Sequence, residues 1–85
     1  MKLLKFSADW CDPCKQLQAH LERILPEEFP HIELVDMNIT DDPDVGKIWG
    51  VRSIPTLIVL DEMGETSRIL IGYNPSKLKG FLAGT

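Results

Sequence analysis

The spacing of apolar residues switches along this chain between a strand-like and a helix-like period, and that alternation constrains the fold more than any other feature. Leu3, Leu4 and Phe6 form a short strand. Leu17, Leu21, Ile24 and Leu25 then recur at helical spacing until Pro26, whose missing N–H is expected to stop the run. Residues 32–39 read as a second strand. Asp42-Pro43 reads as the N-cap and first-turn proline of a short helix ending near Gly50, with Val45, Ile48 and Trp49 as its apolar members. A third strand at 56–60 and a fourth at 66–71 are joined through Asp61, Glu62, Met63 and Gly64 into an antiparallel hairpin. Asn74-Pro75 opens a last helix by the same cap-and-proline device, with Leu78, Phe81 and Leu82 on its buried side.

The order β-α-β-α-β-β-α predicts an α/β fold with parallel crossovers. Because such crossovers are right-handed, the first strand belongs between the second and third. The expected product is a four-stranded mixed sheet of order 2-1-3-4, its last strand antiparallel, flanked by helices. Residues 1–85 are expected to form one domain, since a chain of this length buries roughly 60% of its unfolded surface. The longest strongly apolar run, LIVL at 57–60, is far short of the roughly 20 residues that cross a bilayer. Lys5 interrupts the N-terminal apolar stretch, so a signal peptide's apolar core is missing there. These features point to a soluble, cytoplasmic protein without membrane contact. A net charge of −4 with no cluster of Lys and Arg argues against nucleic acid as a partner.

Both cysteines lie in ADWCDPCK, residues 8–15, where the first strand gives way to the first helix. The carboxyl end of a central strand is where open α/β sheets carry their sites. Disulfide exchange requires one exposed thiolate and one thiol within bonding reach. Cys11, at the helix start, meets unpaired backbone N–H groups and the positive end of the helix dipole, both of which favour thiolate, so it is expected to be the attacking sulfur. Cys14, one turn further in, is expected to be more buried and to resolve the mixed disulfide. Pro13 suits the first turn, where its missing N–H is no loss. Asp12 opposes the Cys11 thiolate by roughly 1 kcal/mol or less at about 6 Å in a solvent-like dielectric, which tunes the site without abolishing it. Two other readings stand beside this one. The cysteines can be small apolar residues on a buried helix face, or they can join His20 and His31 in a metal site. The spacing of those four matches no common zinc pattern, and both histidines read as solvent-facing.

SADWCDPCK at 7–15 and WGVRSIPTLIVL at 49–60 resemble the thioredoxins and their small glutaredoxin-like relatives. The first stretch is similar to the family's W-C-x-P-C active site and the second to its strand entry with a cis-proline, here Ile54-Pro55. Gly64-Glu65 and Gly72 extend the resemblance over nearly the whole chain. The family's additional N-terminal strand and helix have no counterpart, so the resemblance implies a minimal thioredoxin fold. It also implies that Trp10 shields one side of the reactive sulfur, although simple packing is an equal reading of an aromatic there. The Ile54 backbone, turned by Pro55, would pair with an extended substrate strand. Gly72 and Tyr73 would complete the groove, since glycine lets another backbone approach. No cofactor or metal is implied beyond a redox-active Cys11–Cys14 disulfide. Asp12 departs from the glycine that thioredoxins usually carry, and IGYNPS departs from the Gly-Gly pair usual in glutaredoxins.

Lys5 stands in an otherwise apolar strand six residues before Cys11, where a buried charge needs a partner. Thioredoxins usually carry aspartate at the matching position and lysine at the position matching Asp36, so the resemblance implies a pair of reversed polarity on the Cys14 side of the sheet. Lys5 and Asp36 are expected either to handle the proton of Cys14 or to form a structural ion pair. Together these readings predict an enzyme, a monomeric thiol-disulfide oxidoreductase that carries electrons to protein disulfides. A thioredoxin reductase-like flavoenzyme is the implied reductant and ribonucleotide reductase a plausible client. Glutathione is the alternative electron source. A binding module docking partners through Trp10, Ile54 and Tyr73 is the reading from another class.

Overall fold

The structure, a computed structural model, describes residues 1–84. Strand β1 (Lys2–Ser7) leads into helix α1 (Asp12–Glu28), then β2 (Glu33–Asn38), α2 (Asp44–Ile48), β3 (Thr56–Leu60), β4 (Thr66–Ile71) and α3 (Pro75–Ala83). The strands form one mixed sheet of order β2-β1-β3-β4, as the alternation predicts.

Strand direction differs from the expectation in one respect. β1 and β2 are parallel, with α1 as their crossover, but β3 already runs antiparallel to β1, and β4 antiparallel to β3. The reversal therefore falls at the third strand and not at the last. The cause lies in α2, whose five residues advance only about 7.5 Å. Returning along a six-residue strand would take about 20 Å. The chain instead enters β3 at the end where β2 finishes, with Thr56 beside Phe6. That entry lies next to the β1–α1 junction and so next to both cysteines.

Alternate residues of each strand face opposite sides of the sheet. Leu3, Leu57 and Val59 pack with Leu17, Leu21 and Ile24 of α1 and Leu78 and Leu82 of α3 into the larger core. Leu4, Phe6, Ile58 and Leu60 form the core of the other face, against which Val45 and Val51 pack. Lys5 has the parity of Leu3, so a cation points into the face covered by α1.

Local boundaries also depart from the sequence reading. Pro26 does not end α1: the helix runs two residues on to Glu28, and the Phe29 N–H closes onto the Leu25 carbonyl at 3.0 Å. Burial of Ile24 and Leu25 holds that last turn, and the proline removes only the one hydrogen bond its N–H would have made. In α2, Pro43 occupies the cap position, while Asp42 Oδ1 accepts the Asp44 N–H at 3.2 Å. Ile48 is solvent-exposed, and the apolar hold on this segment comes from Val45 and from Trp49, whose ring meets Phe6 at 6.3 Å. Helix α3 starts after Asn74 with Pro75 in its first turn, and buries Leu78 and Leu82 with Phe81 partly covered.

Candidate active site

The chain leaves β1 at Ser7 and turns over Ala8, whose carbonyl accepts the Cys11 N–H at 3.2 Å. Cys11 is the N-cap of α1, and its Sγ accepts the Cys14 N–H at 3.3 Å. A cysteine sulfur thus takes the place that a serine or aspartate oxygen fills at other helix starts, satisfying one of the open N–H groups. Pro13 sits in the first turn, where it displaces no bond. Cys11 and Cys14 are joined as a disulfide, with their Cα atoms 5.3 Å apart.

In this oxidised state Cys11 is less accessible than the sequence suggested. It is 6% exposed, against 2% for Cys14, because both are packed with Ala8 and covered by Ile39 and Ile54. The order of the two is the informative part: Cys11 is the outer sulfur. Trp10 is 71% exposed, which removes the core-packing reading of its ring. It stands on the rim of a groove of about 220 Å3 whose other walls include Ile39, Val51, Arg52 and Ile54. Asp12 is exposed, with Lys15 Nζ 4.0 Å from its carboxylate, so solvent and a neighbouring cation both weaken its action on Cys11.

The Ile54–Pro55 peptide bond is cis. Pro55 is buried and Ile54 lies against the cysteine pair. The Pro55 carbonyl accepts the Gly72 N–H at 2.7 Å, and Gly72 has φ +83°, a conformation that side chains strain to adopt. Residues 54, 55, 72 and 73 are thereby drawn to the same end of the sheet as Cys11.

Lys5 is only 3% exposed. Its register partner on β2 is Asp36, and Nζ lies 3.4 Å from Asp36 Oδ1. The two are buried unequally, since the Asp36 side chain is 60% exposed. Lys5 Nζ also donates to Gln18 Oε1, and Gln18 Nε2 in turn donates to Glu22 Oε1 at 2.8 Å. Lys5, Gln18, Asp36, Ser7 and Cys14 line one cleft of about 220 Å3, so the cation and the inner cysteine share a wall.

Gln18 is a site residue that the sequence reading missed. Its signal was readable, because it follows Cys14 by four positions and so lies on the same helix face. His20 was assigned to solvent, and that is corrected: it is half-buried, with Nδ1 3.0 Å from the Tyr73 hydroxyl. His31 is exposed. Among the described residues no group of three or more His, Cys, Asp or Glu side chains is arranged to hold a metal ion.

The thioredoxin family profile matches residues 1–83. The chain belongs to the thioredoxin family. The thioredoxin of Listeria monocytogenes is 36% identical over 75 residues, 88% of this chain and 72% of the relative. Mitochondrial thioredoxin-3 of Saccharomyces cerevisiae is 34% identical over 77 residues, 91% of this chain and 59% of the relative. The crystal structure of that yeast protein in its oxidised form superposes with a TM-score of 0.87 at 28% identity, covering 99% of this chain and 77% of the other. Fasciola hepatica thioredoxin, at 22% identity and a TM-score of 0.88 over 98% of this chain and 78% of its own, shares the fold. With a bonded cysteine pair at the start of α1, the protein is a thiol-disulfide oxidoreductase of the thioredoxin type, for which protein disulfides and reductases are the partner classes.

Proposed function

We propose that the protein reduces disulfides of other proteins in the cytoplasm, as a monomer, and is itself recharged by a flavoenzyme of the thioredoxin reductase kind. The observation that carries this reading is the Cys14 N–H donated to Cys11 Sγ at the start of α1. It stabilises negative charge on the outer sulfur, and thiolate is the form that attacks. Cys11 thiolate attacks one sulfur of the client disulfide, forming a Cys11–client bond and expelling the other client sulfur as thiolate. Cys14, as thiolate, attacks Cys11 Sγ, forming the Cys11–Cys14 disulfide and expelling the second client thiolate. Two electrons pass to the client, and the reductase returns two from NADPH.

Ile54, Pro55, Gly72 and Tyr73 serve as the docking strip. Support comes from Ile54, whose backbone N–H and C=O make no hydrogen bond among the described residues and are free for an extended client strand. Trp10 supplies an exposed ring at the groove rim. Lys5 and Asp36 serve the inner cysteine: the ammonium favours Cys14 thiolate, and the exposed carboxylate gives its proton a route to water. No membrane or nucleic acid enters this role, and among the described residues no helix is long and apolar enough to cross a membrane. Ribonucleotide reductase fits as one client.

The test is NADPH oxidation coupled to reduction of a protein disulfide, run once with thioredoxin reductase and once with glutathione and glutathione reductase. Turnover with the first is expected. Turnover with the second alone would replace the proposed reductant by glutathione. Binding of a client without turnover in either would replace the enzyme by a binding module.

A further inference from the structure

We infer that His20 is a positioning residue for client binding, fixing the Gly72–Tyr73 edge of the groove through the Tyr73 hydroxyl. The inference rests on the reading of the protein as a reductase of protein disulfides. Four observations carry it. His20 is on α1, between Leu17 and Leu21, which are 1% and 0% exposed and tie that part of the helix to the core. Its Nδ1 lies 3.0 Å from Tyr73 Oη, and the rings meet edge-on, 6.0 Å apart at 88°. Tyr73 follows a glycine at φ +83°, in a segment between β4 and α3 that belongs to neither. The Gly72 N–H, donated to the Pro55 carbonyl at 2.7 Å, is the backbone tie of the same segment.

Two hydrogen bonds therefore hold this edge, beside the packing of the Tyr73 ring against the larger core. The backbone tie sets how far Gly72 stands from the entry to β3. The side-chain tie sets where the Tyr73 ring stands relative to α1, the helix that carries both cysteines. Packing against the core covers one side of the half-buried Tyr73 ring but leaves its hydroxyl end room to shift, and each position would present a client strand with a different wall. With its hydroxyl held by His20, the ring keeps one place, so a client meets a preformed groove and loses less entropy on ordering it. A neutral imidazole with a bare Nδ1 accepts the tyrosine O–H, and an Nδ1–H donates to the tyrosine oxygen. The tie can form in either state, and its role is mechanical.

The effect belongs in KM for a protein client, since neither residue touches a sulfur. Loss of one neutral side-chain hydrogen bond corresponds to a change of about two- to tenfold in binding. The experiment is steady-state reduction of insulin, with thioredoxin reductase and NADPH, by the wild-type protein and by His20→Ala, His20→Gln and Tyr73→Phe, beside the rate of each reduced protein with 5,5′-dithiobis(2-nitrobenzoate). His20→Ala and Tyr73→Phe are expected to raise KM for insulin about two- to tenfold, by more than they change kcat or the rate with the small disulfide. His20→Gln, whose carbonyl can accept the tyrosine O–H, is expected to recover most of the loss. Unchanged KM in both His20→Ala and Tyr73→Phe overturns the inference alone. So does an equal fall in both substrates, which would place the damage in the disulfide chemistry or the fold. A wild-type protein inactive on insulin would overturn the inference together with the reading it rests on.

Discussion

Cys11 and Cys14 are chemically identical and three positions apart, yet the structure gives them different surroundings: Cys11 holds the helix start and Cys14 looks onto the cleft of Lys5. Lys5 is the residue whose change separates a working cation from a structural one. Replacing it by Met exchanges a buried charge for an apolar side chain of similar length, and the carboxylate left behind, Asp36, is 60% exposed and stays solvated. Removing one positive charge from the cleft that Cys14 also lines costs a thiolate there on the order of 1 kcal/mol in a partly screened setting, or about fivefold in thiolate population. Lys5→Met is therefore expected to slow disulfide reduction near neutral pH about fivefold and to leave the thermal midpoint near that of the wild type. Asp36→Asn, which leaves Lys5 its Gln18 partner, is expected to have a smaller effect in the same assay. Thiol titrations and turnover unchanged in both variants would make the pair structural. The Lys5–Asp36 approach could be anticipated because the resemblance to thioredoxins implied a pair at these two positions, and β1 and β2 do put them opposite one another. The His20–Tyr73 contact could not, because 53 positions separate the partners, and His20 reads alone as a solvent-facing residue while Tyr73 reads only as part of the groove.

Among the elements, α1 carries the most: it supplies both cysteines, Gln18 and His20, and buries Leu17, Leu21, Ile24 and Leu25. Its periodicity made it readable. Its end was not, because proline's rule concerns one hydrogen bond while burial of the neighbouring turn decides whether the helix continues. Proline inside a helix is about 3 kcal/mol less favourable than alanine, offset in part by the stiffness it gives the unfolded chain. Pro26→Ala, on an exposed position, should therefore raise stability by about 2 kcal/mol in urea unfolding. A lower midpoint would mean that the ring makes contacts that matter more than the missing bond. The direction of β3 was hidden for a different reason. All five of its residues are buried, and a strand covered on both faces has the same pattern read either way. Only the length of α2 distinguishes the two directions, and in five residues helical periodicity scarcely registers.

At the scale of the whole molecule, the disulfide lies outside the larger core, in a small cluster of its own with Ala8 at the start of α1, bonded across a loop of three steps. Closing so short a loop removes little entropy from the unfolded chain, about 2 kcal/mol. The oxidised protein is expected to be more stable than the reduced one by that amount, measured as urea midpoints with and without dithiothreitol. Equal stability would mean that the reduced site gains as much from its thiolate contacts as the bond supplies. The loop thus contributes modestly to the fold, in keeping with a bond made to be broken. In the proposed reaction Cys11 attacks and Cys14 releases, an order read from the intact mass of the complex formed when Cys14→Ser meets an oxidised protein client. A one-to-one covalent adduct through Cys11, reversed by dithiothreitol and absent with Cys11→Ser, is the predicted result. An adduct formed by Cys11→Ser through Cys14, with none from Cys14→Ser, would contradict it.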